Sequence, residues 1–269
     1  PLLKTPEVLE RIARELVEDL ENQGLLYAEV RFAPILNVVN PENIHELRAA
    51  VEAVLRGLSG QRQLRTGLIL CCYRGFDPAL AESTVRLALE LSQEMPGSVA
   101  GIDLAGDESR FDASLYARAF GNIGGKLPVT VHAAEAAPAD SARKAIELLG
   151  AQRIGHGVRI KEDPDLLRIV QERGIALEIC LTSNLQTGTV PSIREHPFAE
   201  YLRQGLCVTL NTDDPAISGI TLASEWDLAR EAFRLTGAEV RQIARNSARS
   251  AFIAKEEQTA LEKRLLEAL

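Results

Sequence analysis

Apolar runs recur along the chain at residues 25–32, 66–72, 99–104, 127–131, 152–155, 175–181 and 206–210, and most segments between them carry helical periodicity. Short, nearly continuous apolar runs bounded by Gly, Pro and Asp read as strands covered on both faces, the pattern of a parallel sheet. In the first helical segment Leu9, Ile12, Ala13, Leu16, Val17 and Leu20 follow the helical period, with Thr5-Pro6 as cap and first turn and Gly24 as its close. The same punctuation returns at Asn40-Pro41, at Asp77-Pro78, at Asp163-Pro164 with Gly174, and at Pro197 with Gly205. After Pro215 the pattern is helical throughout. Thr236 and Glu239 have the spacing of a capping box, and Leu261, Leu265 and Leu266 give the last helix an apolar stripe.

Strands alternating with helices through short links predict an α/β fold with crossover helices. Seven strand–helix units are visible, whereas a closed TIM (β/α)8 barrel has eight. An open doubly wound sheet would carry a G-x-G-x-x-G turn after its first strand, and none is present. The chain starts on a helix-like segment without an initiator Met. The expectation is therefore a TIM-type barrel whose first unit belongs before Pro1, with extra helices at the C-terminal end. No Pro/Gly/Ser-rich linker breaks residues 1–269, so they read as a single domain.

Composition narrows the function classes. With a net charge of −8 and no basic run or basic–aromatic interleaving, the chain lacks the clustered Lys and Arg that nucleic acid requires. Its four cysteines (Cys71, Cys72, Cys180 and Cys207) form no C-x-x-C and mostly sit inside apolar runs, which suits buried thiols in a reducing compartment. No signal peptide or bilayer-length apolar run is visible, so the expectation is a cytoplasmic protein without a membrane partner.

The chemistry gathers where apolar runs end. The fourth run leads into His132-Ala133-Ala134-Glu135, the fifth into His156-Gly157, and the seventh into Asn211-Thr212-Asp213-Asp214-Pro215. Parallel strands deliver their C-terminal tips to one edge, where active sites of such folds are built. A Glu three residues after a His can be aimed with it into one cavity, and a desolvated carboxylic acid there can donate a proton. Glycines on both sides of His156 allow close approach of the backbone to substrate or water. Adjacent carboxylates at Asp213 and Asp214 repel unless a cation or donors hold them. The bland alternatives are a structural histidine, a turn histidine and a solvated D-D-P turn.

Taken together, these residues resemble the adenosine deaminase family of metal-dependent aminohydrolases. The segments that carry the resemblance are 27–34 (YAEVRFAP), 101–108 (GIDLAGDE), 131–135 (VHAAE), 153–157 (RIGHG), 182–188 (TSNLQTG), 196–197 (HP) and 210–215 (LNTDDP), in the family's order. The resemblance implies a (β/α)8 barrel with one zinc or other divalent ion per subunit, held in part by His132 and Asp213. It implies Glu135 as the acid that protonates purine N1, and His156 as the group that orients the activated water and assists its deprotonation. Asp213 is then both ligand and catalytic residue. Water attack at C6 converts adenosine or 2'-deoxyadenosine to inosine or its deoxy form and ammonia. Asp214 is implied as acceptor of a hydrogen bond at the N7 side, the backbone N–H of Gly106 as partner of N3, and Ser183 as support for a ligand.

Two departures stand out. The family's Gly in H-A-G-E is Ala134, which adds a methyl beside the ligand, and the family's first-strand H-x-H is absent from the sequence. His45 precedes an amphipathic helix and His196 caps another, so neither replaces it. The expectation is that the missing unit carries those ligands and that a chain starting at Pro1 is impaired. The competing readings are a deaminase of another N6-amino purine, such as adenine or aminodeoxyfutalosine, and a catalytically inactive binding barrel. Arg31 and Arg74, which close their strands, are expected to pair with carboxylates in structural roles.

Overall fold

In the computed structural model, which describes residues 3–60 and 64–269, each apolar run becomes a strand of a parallel sheet. Contacts gather the chain into two units, Pro1–Val129 and Thr130–Leu269.

The first unit runs α1 (Pro6–Asn22), β1 (Tyr27–Phe32), α2 (Ile44–Leu58), β2 (Arg65–Tyr73), α3 (Pro78–Glu94), β3 (Val99–Ala105) and a short α4 (Ala117–Gly121), with sheet order β1-β2-β3. β2 is buried from Leu68 to Cys72, as a central parallel strand covered on both faces must be. Thr5 caps α1 by accepting from the N–H of Val8. The buried stripe of α1 is Leu9, Ala13 and Val17, narrower than the sequence suggests, and Ile12 is exposed. Asn40-Pro41 does not start α2. Glu46 Oε2 accepts from the N–H of Val39 and Asn40, and the cap passes to Asn43, which accepts from His45 N. His45 thus lies inside the first turn of α2 rather than before it.

At the end of β3, Gly106 has φ +98°, and a Cβ there would meet the backbone N and O of Arg74 at 3.1 Å. Only glycine fits that approach. Arg31 pairs with the fully buried Asp103 at 3.5 Å, and buried Arg74 donates to Leu104 O. Burial lowers the Arg74 pKa, with Glu108 and Asp103 opposing.

The second unit contains β4 (Thr130–Ala133), α5 (Asp140–Leu148), β5 (Arg153–His156), α6 (Pro164–Arg173), β6 (Ala176–Ile179), α7 (Leu181–Gln186), α8 (Phe198–Arg203), β7 (Val208–Leu210), α9 (Pro215–Ser218), α10 (Leu222–Phe233), α11 (Gly237–Ser250) and α12 (Lys255–Ala268). Its sheet order is β4-β5-β6-β7. Asp163 and Gly174 cap α6, the latter at φ +63°, and the Thr236–Glu239 capping box opens α11. α11 is tied to β7 by the bond from Asn246 Nδ2 to Val208 O. The Leu261, Leu265 and Leu266 stripe of α12 is only partly buried.

At the start of β5, Arg153 is nearly buried. Its Nε lies 2.8 Å from Glu178 Oε1, its Nη1 donates to Ser250 O, and its guanidinium stacks 3.5 Å over the Phe252 ring. Cys71, Cys72 and Cys180 are buried, Cys207 is partly so, and none of the four forms a disulfide. Among the described residues no helix is long and apolar enough to cross a membrane.

Candidate active site

β4 starts later than the apolar run suggests, so His132 lies within the strand and Ala133 ends it. Pro128 has no N–H to offer a ladder; its carbonyl accepts from Ile102 N, and Val129 makes only an isolated bridge. His156 is the last residue of β5. In the ladder His132 pairs with Gly155 and Ala133 with His156.

Gly155 serves His132 rather than its neighbour His156. A Cβ at Gly155 would stand 3.2 Å from His132 Cγ and 3.3 Å from its Cα. The glycine that the sequence assigns to close approach of His156 therefore makes the seat for the other imidazole.

The structure brings His132, His156 and Asp213 together: one ligand atom from each lies within 4.8 Å of the others, the only such metal-capable group among the described residues. The two imidazole rings are 5.2 Å apart at 55°. His156 is buried, His132 partly so, and Asp213 exposed. Nitrogen and carboxylate donors at this spacing fit a divalent cation such as zinc. Asp213 Oδ2 accepts from Ser183 Oγ at 2.7 Å, a bond that fixes how a ligating carboxylate points.

Three of these positions have left-handed backbone: Ala134 at φ +53°, His156 at +64° and Asp213 at +58°. Non-glycine residues enter that region at a cost and gather there at functional sites. Ala134, where the family pattern has Gly, buries its methyl completely; its N–H donates to Ser141 Oγ and its carbonyl accepts from Arg159 N.

Glu135 is half-buried, with Oε2 3.5 Å from His156 Nε2. Its Oε1 accepts from Asn184 Nδ2 at 3.0 Å, and the Thr187 hydroxyl lies 3.5 Å away. Asp214 has a raised pKa, first from desolvation and then from Asp213, with His132 opposing. Gly106 lies in the other unit.

Three further residues, Asn184, His196 and Glu225, have roles in the site that their place in the sequence does not announce. Asn184 is fully buried, and its Nδ2 also lies 3.1 Å from His156 Nδ1. His196 does more than cap: its Nε2 lies 3.3 Å from Asn184 Oδ1 and its Nδ1 accepts from Phe198 N. Glu225 of α10, nearly inaccessible, accepts from the N–H and hydroxyl of Thr182 and so anchors the start of α7, which carries Ser183 and Asn184. The available signal was the polar triplet Thr182-Ser183-Asn184 directly after a buried strand.

The model of the adenosine deaminase family matches residues 1–268. The adenosine deaminase of Serratia proteamaculans is 40% identical over 259 residues, covering 95% of this chain and 76% of that protein. Among solved structures, an adenine deaminase from Arthrobacter aurescens superposes with a TM-score of 0.88 at 26% identity, over 99% of this chain and 80% of that one. The N6-methyl-AMP deaminase of Arabidopsis thaliana does so with a TM-score of 0.86 at 27% identity, over 98% and 79%. The fold class is accordingly the TIM-type barrel of these deaminases, with further helices after the last strand. On the family match and on relatives of this similarity, the chain belongs to the adenosine deaminase family.

Proposed function

We propose that the protein hydrolyses the 6-amino group of adenosine or 2'-deoxyadenosine, giving the 6-oxopurine nucleoside and ammonia. The observation that carries this reading is the meeting of His132, His156, Glu135 and Asp213 at the ends of β4, β5 and β7 in a chain of this family. Adenosine is favoured over adenine because the similarity to an adenosine deaminase, at 40% identity, exceeds the 26% to an adenine deaminase.

His132 and Asp213 are the proposed protein ligands of one zinc ion in this unit. When bound, such an ion lowers the pKa of a water and supplies a nucleophile near neutral pH. The chain's own groups do the rest. Ser183 holds the Asp213 carboxylate in one orientation. Glu135, kept in place by Asn184, hands a proton to purine N1, which drains electron density from the ring and leaves C6 open to water. His156 holds the incoming water by a hydrogen bond on the C6 side. Purine N7 carries a lone pair and no hydrogen, so Asp214 must meet it as a carboxylic acid that donates, not as the acceptor expected from the sequence. The two protons of the water close the balance: one restores the proton that Glu135 gave to N1, the other joins the amine, and ammonia leaves C6 as the 6-oxo group forms.

The test is ammonia release from adenosine, adenine and aminodeoxyfutalosine by the same preparation, before and after chelation. Adenosine is expected to show the highest kcat/KM, with turnover lost on chelation and restored by zinc. A higher kcat/KM for either competitor, or turnover indifferent to chelation, overturns the reading. The seat of His132 gives a second expectation. Gly155→Ala sets a methyl 3.2 Å from His132 Cγ, so the ring must give way, and is expected to lower kcat/KM by roughly 10-fold. Zinc binding measured by calorimetry should weaken in parallel.

A further inference from the structure

Asn184 takes no chemical part in the steps above, yet its side chain joins three groups of the site. The order of its contacts can be read from an end that has no ambiguity. The backbone N–H of Phe198 points at His196 Nδ1 at 3.1 Å. A backbone amide nitrogen only donates, so His196 Nδ1 is an acceptor, and the neutral ring carries its hydrogen on Nε2. Burial, with Lys161 adding to it, lowers the pKa of His196 to about 4, which keeps that ring neutral at physiological pH.

The Nε2–H of His196 then donates to Asn184 Oδ1 at 3.3 Å, which fixes which end of the amide is oxygen. The NH2 end is left facing the site. Its two hydrogens go to Glu135 Oε1 at 3.0 Å and to His156 Nδ1 at 3.1 Å. A flipped amide would set oxygen against the Glu135 carboxylate and NH2 against the His196 N–H. Both contacts would then be mismatched, oxygen against oxygen and N–H against N–H.

His156 Nδ1 receives a hydrogen, so the neutral ring bears its own on Nε2, the nitrogen that faces Glu135 Oε2. A histidine that ligates a cation through Nε2 must instead carry its hydrogen on Nδ1, and that hydrogen would collide with the one Asn184 offers.

We propose that Asn184 is a positioning residue that holds neutral His156 in the Nε2–H tautomer, so that this imidazole acts as a hydrogen-bond donor and stays outside the coordination shell. The arrangement separates the clustered donors into ligands, His132 and Asp213, and a donor, His156. It also removes His156 as a proton acceptor for the attacking water, the role that the sequence resemblance implied, and leaves that role to the Glu135 carboxylate once it has protonated N1. The consequence for catalysis rests on the deaminase reading; the tautomer assignment does not.

The test is a two-bond 1H–15N correlation spectrum of protein labelled with 15N-histidine at neutral pH, metal-free and zinc-loaded. Wild-type His156 and His196 are both expected to show the Nε2–H pattern in both forms. An Nδ1–H pattern, or two protonated nitrogens, at either residue overturns the proposal. Asn184→Asp replaces the donor with an acceptor of nearly the same size and is expected to switch His156 to Nδ1–H; retention of Nε2–H would remove Asn184 from the role. Should that variant not fold, the wild-type spectra decide alone. Ammonia release from adenosine by the wild type is read separately. Turnover with His156 as Nδ1–H sinks the tautomer proposal and spares the function, while Nε2–H without turnover does the reverse.

Discussion

Glu135→Gln is expected to lower kcat by about 10²–10⁴-fold, the usual worth of a positioned general acid, while zinc content stays at the wild-type level. Glutamine keeps the size of the side chain and an oxygen that can accept from Asn184 Nδ2; its NH2 then faces His156 Nε2–H, a local mismatch that leaves His132 and Asp213 untouched. What disappears is the proton destined for N1. The loss should therefore fall on kcat far more than on KM, since the amide still fills the same space against the ring. Steady-state kinetics together with metal analysis check both halves. An equal loss of zinc would move Glu135 from acid to structural support of the ligands.

The second large effect concerns stability and lies at the start of β5, the strand that ends in His156. Arg153→Ala is expected to destabilise the protein by about 3–5 kcal/mol, because removing one partner of a buried ion pair strands the other. Glu178, with only 8% of its side chain exposed, would keep Thr130 Oγ1 as a neutral donor at 2.9 Å but lose its counter-charge. The link to Ser250 at the end of α11 and the stack on Phe252 would go as well. The double replacement Arg153→Met with Glu178→Leu is expected to cost much less, since it removes both charges and refills the space. Urea midpoints of the single and double variants provide the comparison. If the two variants are equally destabilised, packing of the arginine stem and not the stranded carboxylate is the cause.

The strands were legible because a parallel strand covered on both faces has to be apolar along its length, and runs such as Leu68–Cys72 leave no other reading. Helix starts were legible where an Asp or Thr precedes Pro, as at Asp77 and Asp163. They failed at Asn40-Pro41, where a side chain from six residues downstream captures the amide that a cap would leave free. In the site, His132, His156 and Asp213 could be found because each sits at or just beyond a strand end. Asn184 and His196 lie in two of the segments that carry the resemblance, yet their roles could not be read from them. A buried amide inside a six-residue helix has no periodicity to betray it, and its meaning lies in partners 28 and 12 residues away. Nor does sequence reveal whom a glycine serves: Gly155 neighbours one histidine along the chain and makes room for another across the sheet.

The left-handed backbone at Ala134, His156 and Asp213 bears on how this protein can be engineered. Glycine would relax each of these turns, so a screen that rewards heat resistance alone is drawn toward replacing His156 and Asp213, which the proposed reaction needs. Hardier descendants would then be silent ones unless every round of selection also scores turnover.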